Sequence, residues 1–136
     1  TGENRTLVRF GLRYLAATTK PGLRALIRAS AVSGAILGGA DRDAVDAIGR
    51  WATEIGLAFQ IVDDILDVEG SASQLGKTAG KDAARDKPTY PSLFGMEGAR
   101  AMASKCAAHA RAILEDARLA EGWLDGIATW VISRHN

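Results

Sequence analysis

Four polar side chains with metal or proton chemistry fall within eight residues: Gln60, Asp63, Asp64 and Asp67, in Gly56-Leu-Ala-Phe-Gln-Ile-Val-Asp-Asp-Ile-Leu-Asp67. Their intervals of three, four and seven residues place them on one face of a helix. Like charges at this spacing repel by roughly a few tenths of a kcal/mol per pair. Near a helix C-terminus the dipole also disfavours more negative charge. A cation relieves both costs. The natural candidate is Mg²⁺, a hard ion that takes a few carboxylate oxygens together with waters and substrate phosphates. A merely solvated face is the simpler alternative, set back by the repulsion and by the apolar stripe behind the carboxylates. An EF-hand is excluded, because its ligand spacing cannot be registered on this segment.

The segment that follows is basic. Lys77, Lys81, Arg85 and Lys87 all come within 24 residues of Asp63. Carboxylates followed by lysines suit a ligand that brings both a metal and an anion, such as a phosphate or diphosphate. The carboxylates hold the metal, the metal bridges phosphate oxygens, and the lysines neutralise what remains. Lys77 lies between glycines that permit close approach to a ligand, whereas Lys81 and Arg85 read as solvated charges. Gly56, one turn before Gln60, either leaves room for substrate or marks close helix packing.

The positioning elements are helical. A helix is expected from Arg5 to Ala17, then turn chemistry at Thr18-Thr-Lys-Pro21-Gly22. A second helix is expected from Leu23 to Leu37, ended by Gly38-Gly39. Asp41 reads as the N-cap of a third, reaching about Val68. In it Val45, Ile48, Ala52, Ile55, Phe59, Val62 and Leu66 form a core stripe. Residues 71 to 91 read as loop, followed by helices over Met96 to Leu119 and Glu121 to Arg134. No alternating strand competes, so the class is all-α.

With 136 residues and a net charge of +1, the chain has no global field pointing to nucleic acid. One cysteine, Cys106, excludes an internal disulfide and fits a reducing compartment. No apolar run is long enough for a transmembrane helix. The opening Thr-Gly-Glu-Asn-Arg is no signal peptide and lacks an initiator methionine. The expectation is a cytoplasmic protein represented here in part.

The segment Gly56 to Asp67 resembles the second aspartate-rich motif of the trans-prenyl diphosphate synthases. Leu75-Gly-Lys77-Thr-Ala-Gly-Lys81-Asp82 and Asp86-Lys87-Pro-Thr-Tyr90-Pro91 resemble the loop after it, and Ala25-Leu-Ile-Arg28-Ala-Ser30 the helix before it. The resemblance covers about residues 20 to 134 and is closest to the bacterial farnesyl diphosphate synthase branch. It implies the C-terminal part of the all-α isoprenoid synthase bundle, with residues 1–136 as one partial domain and the first aspartate-rich motif absent. It also implies a Mg²⁺-dependent prenyltransferase, usually a homodimer, that joins isopentenyl diphosphate head to tail to an allylic diphosphate. Asp63, Asp64 and Asp67 would be metal ligands, and with Lys77 the catalytic set. Gln60, Lys77 and Lys87 would meet the allylic diphosphate, and Phe59 would line the cavity near isopentenyl diphosphate. The family has Lys-Thr-Gly directly before Ala-Leu-Ile-Arg. Here Gly22-Leu23-Arg24 stands there, and Lys20, just upstream, is the candidate replacement.

Two alternatives accompany this expectation. One is a non-catalytic remnant or partner subunit that keeps the C-terminal half of the fold. The other is a terpenoid cyclase, which the Lys77 loop argues against. His109 and His135 lack partners at ligand spacing, and Cys106 reads as a packing residue. Trp51, Trp123 and Trp130 read as core or interface anchors, and Arg100, Lys105 and Arg111 as a solvated face.

Overall fold

A computed structural model describes residues 21–74 and 88–134. They form four helices: α1 (Pro21–Leu37), α2 (Arg42–Gln74), α3 (Tyr90–Asp116) and α4 (Trp123–Ser133). No strand occurs among the described residues, as an all-α chain requires. The helix expected over 5–17 lies outside them.

The α1–α2 turn follows its sequence signals. Gly39 takes φ +76, and the Ala40 and Gly39 amides donate to the Ala35 and Ile36 carbonyls, a Schellman closure that a side chain at Gly39 would strain. Asp41 then caps α2, its Oδ1 accepting the Ala44 amide at 2.8 Å. At 33 residues α2 is about 50 Å long. It continues through Glu69-Gly70, where an end was expected. Ser71 there donates its hydroxyl to the Asp67 carbonyl at 2.7 Å, and one internal glycine costs a helix only about 1 kcal/mol.

α3 begins at Tyr90 rather than Met96. Thr89 and Ser92 exchange side-chain and backbone hydrogen bonds in a capping box, and Pro91 lies in the first turn. The helical backbone is then interrupted at Gly95 (φ 72), so the helix expected from Met96 is the length beyond this kink. It ends at Asp116, three residues early, because Arg118 adopts φ 57 and closes a Schellman turn without glycine.

α2 is the central helix. It packs most extensively on α3, then on α1, and α4 lies across both α2 and α3. Burial therefore extends beyond the single expected stripe. Trp51, Ala52, Ile55, Ala58, Ile61, Val62 and Ile65 are all buried, facing Tyr90, Ala99, Ala103, Cys106, Ala110 and Leu114 of α3 and Ala128 and Val131 of α4. The alanines of α3 let its axis come close to α2. Trp123 and Trp130 are not core anchors. They are 89% and 59% exposed. Arg100 and Arg111 are likewise more than a solvated face: Arg100 pairs with Glu69 of α2, and Arg111 bonds both oxygens of Asp125 on α4. Cys106 packs as expected. Burial, and then the Glu54 carboxylate, push its thiol up to about 12.

Gly56 lies on the face of α2 that meets α1. A Cβ at Gly56 would lie 3.5 Å from the Arg24 Cα, and one at Gly49 would lie 3.4 Å from the Arg28 guanidinium. Both glycines face α1, at distances where a methyl group would make only ordinary contact. Gly56→Ala makes only an ordinary contact and gains helix propensity, so it is expected to leave stability unchanged or raise it by up to about 1 kcal/mol. Gly56→Leu must displace the α1 backbone and is expected to lose about 1–3 kcal/mol. Thermal unfolding of the two variants checks the contrast.

Candidate functional site

The acidic face lies on the second half of α2, and exposure rises along it. Gln60 is 3% exposed, Asp63 and Asp64 are half-buried, and Asp67 is exposed. The helix thus carries this face from the interior to the surface within two turns. The Gln60 side chain brings an amide into the core, and its Oε1 has no hydrogen-bond partner among the described residues. A buried acceptor left unpaired costs about 1–3 kcal/mol, and a metal ion or a metal-bound water satisfies an amide oxygen where a diphosphate, itself an acceptor, does not.

The three aspartates differ in their surroundings. Asp64 turns toward α3, its Oδ2 accepting the Tyr90 amide at 3.2 Å across 26 residues of sequence. Asp63 and Asp67 lie one turn apart on the same side of α2, with Asp64 roughly 100° round from Asp63. Among the described residues no three His, Cys, Asp or Glu side chains converge as a ready-made metal cage. Mg²⁺ does not require one. It is commonly held by one or two carboxylates with water and substrate phosphates completing the octahedron. Two carboxylates near the surface, on the helix that carries a buried amide oxygen with no partner among the described residues, fit an ion that arrives with a diphosphate.

Phe59 is half-buried beneath the end of α4. The Arg134 guanidinium carbon lies 3.9 Å from its ring centroid, and Arg134 Nη2 donates to the Phe59 carbonyl at 3.3 Å. The Trp130 ring lies on the other flank of Arg134, at 5.6 Å. A cavity of about 200 Å³ opens beside this pair, lined in part by Val62, Leu66, Arg100 and Arg134. Gln60, Asp63, Asp64 and Asp67 do not line it. Arg134→Ala is expected to cost about 1 kcal/mol through the lost cation–π contact and carbonyl bond. The corresponding fall in melting temperature checks it.

Lys20, Lys77 and Lys87, expected to meet the diphosphates, lie outside the described residues, as do Lys81, Arg85 and His135. His109 faces Glu54 at 3.9 Å from an exposed position. Sequence reasoning missed three contributors. Arg134 carried no local signal, because its partner Phe59 is 75 residues away. Arg24 lies against Gly56, and its charge lowers the Tyr90 phenol, which burial first raises. Tyr90 itself, fully buried, read as loop.

The comparisons with known proteins now fall on a described site. The sequence pattern of the polyprenyl synthetase family matches residues 13–120, more than half of the chain. The chain belongs to the polyprenyl synthetase family. That match includes every expected site residue from Lys20 to Lys87 and stops short of α4 and Arg134. Among its relatives in this family is the heterodimeric geranylgeranyl pyrophosphate synthase large subunit 1, chloroplastic, of Arabidopsis thaliana. It is 46% identical over 111 residues, covering 82% of this chain and 30% of that protein. The chloroplastic geranylgeranyl pyrophosphate synthase of Capsicum annuum is 47% identical over 114 residues, covering 82% and 31%. The chloroplastic geranylfarnesyl diphosphate synthase of Leucosceptrum canum is 54% identical over 81 residues, covering 60% and 22%. The chain spans less than a third of the length of these curated relatives.

Proposed function

We propose that this polyprenyl synthetase chain belongs to a prenyltransferase that adds isopentenyl diphosphate head to tail to an allylic diphosphate. The observation that carries this reading is the exposed end of the acidic face. Asp63 is half-buried and Asp67 exposed, within two turns of Gln60, whose buried Oε1 has no hydrogen-bond partner among the described residues. The geranylgeranyl and geranylfarnesyl synthases among its relatives support the same reaction class.

Asp63 and Asp67 would hold Mg²⁺ against the diphosphate of the allylic substrate. When bound, Mg²⁺ would neutralise charge gathering on the leaving diphosphate. Gln60 would contact that diphosphate through its amide nitrogen. Lys77 and Lys87 would add positive charge, Lys77 at the diphosphate and Lys87 in its outer shell. Lys20 would stand in for the lysine usual in the family before Ala25-Leu-Ile-Arg28. Phe59, held by Arg134, would present a fixed aromatic wall near isopentenyl diphosphate.

Residues 1–136 would form one partial domain of the isoprenoid synthase bundle, with the opposing aspartate-rich motif supplied from elsewhere in the working protein. The assembly would be a homodimer in the cytoplasm. Among the described residues no helix is long and apolar enough to cross a membrane.

The test is transfer of label from radiolabelled isopentenyl diphosphate into a longer prenyl diphosphate. The full protein is expected to transfer it in a Mg²⁺-dependent manner, and residues 1–136 alone to show little or no turnover. No transfer by the full protein with any allylic diphosphate would remove the reading.

A further inference from the structure

We propose that Asp64 is a positioning residue: its carboxylate holds the buried amide of Tyr90 and so locks the first turn of α3 to the acidic face of α2. The proposal deepens the functional reading above and rests on it for the roles of Asp63 and Asp67.

The first turn of α3 has few supports of its own. Gly95, at φ 72, interrupts the helix directly after it, so residues 90–94 are not held in line by the continuous hydrogen-bond ladder beyond. What fixes the turn can be followed donor by donor. The Thr89 amide donates to Ser92 Oγ at 2.9 Å. The Ser92 amide donates to Thr89 Oγ1 at 3.2 Å, and the Leu93 amide to the Thr89 carbonyl at 3.2 Å. Pro91 has no amide hydrogen. The Tyr90 amide remains, and it donates to Asp64 Oδ2.

Of these bonds, the Asp64–Tyr90 bond alone reaches outside the turn. Tyr90 is 0% exposed and Pro91 is buried, so water is poorly placed to replace a lost acceptor at this amide. A carboxylate also suits the positive end of a helix dipole. Asp64 therefore does for α3 what a cap residue does, but from another helix. The same turn stacks Tyr90 on Phe94, with ring centroids 6.4 Å apart. Removing Asp64 would free the first turn of α3 from the turn of α2 that also carries Asp63, and so would disturb the acidic face.

Two readouts on the full protein separate this role from metal ligation. The first is hydrogen exchange at the Tyr90 amide without metal, referenced to the Ala103 amide beyond the kink. The second is Mg²⁺-dependent binding of inorganic diphosphate by calorimetry. Asp64→Ala is expected to speed Tyr90 exchange by about tenfold or more relative to Ala103. Asp64→Asn keeps an oxygen acceptor, so exchange should stay within about threefold of the native rate. It should also recover most of the diphosphate affinity lost in Asp64→Ala. Asp63→Ala should lose binding and leave Tyr90 exchange unchanged. Native Tyr90 exchange in Asp64→Ala would overturn the proposal. So would an Asp64→Asn protein that loses binding as fully as Asp63→Ala with Tyr90 still protected. A wild-type protein that binds no diphosphate overturns the proposed function instead, and Tyr90 exchange then still decides the role of Asp64.

Discussion

Replacing Asp63 by alanine is expected to weaken Mg²⁺-dependent diphosphate binding by about a hundredfold or more. A charge-assisted ligand bond contributes roughly 3 kcal/mol, and about 1.4 kcal/mol corresponds to a factor of ten. Asp63→Asn should fail almost as fully, since a neutral amide keeps the shape but not the charge that meets a divalent ion. The signature is therefore a protein that still unfolds cooperatively and no longer binds diphosphate in calorimetry. Unchanged binding would make the acidic face a structural feature of α2.

The second large effect concerns the core that presents this face. Trp51 is 3% exposed and lies in the cluster that joins α2 to α3 and α4. Trp51→Ala leaves a cavity the surrounding helices cannot fully close, at a cost of about 3–5 kcal/mol. Against a typical domain stability of about 5–15 kcal/mol, that is enough to lower the melting temperature by about 10–20 °C. Trp51→Phe should cost far less, about 1 kcal/mol. The indole Nε1 has no hydrogen-bond partner among the described residues, so losing it removes an unmet donor along with some packing. Urea unfolding of both variants measures the difference. A cost for phenylalanine close to that for alanine would place an unseen partner at Nε1.

Local signals in the sequence were legible, and long-range ones were not. Asp41 announced the start of α2, and Gly38-Gly39 the end of α1, because both act on backbone groups within five residues. The four-residue intervals of α2 announced a core helix carrying an acidic face. The end of α2 was missed because Ser71 and packing carry the helix past Gly70. The early stop of α3 was missed because Arg118 takes the left-handed conformation that glycine usually signals. The start of α3 was available in Thr89-Tyr-Pro-Ser92, a cap with proline in the first turn, but Pro91 read as loop. The contact of Asp64 with α3 was not available at all. It depends on Asp64 meeting an amide 26 residues away, and Asp63 and Asp64 are chemically identical until α3 packs beside one of them. The same holds for Arg134 over Phe59 and for the exposed Trp123 and Trp130, whose surroundings are set by where α4 lands.

The most direct measurement is a calorimetric titration of the wild-type full protein with an allylic diphosphate, once in Mg²⁺ and once in excess chelator. If Asp63 and Asp67 grip the diphosphate through the metal, binding should be saturable in Mg²⁺ and at least about a hundredfold weaker in chelator. Equal affinity in both conditions, or none in either, would contradict it.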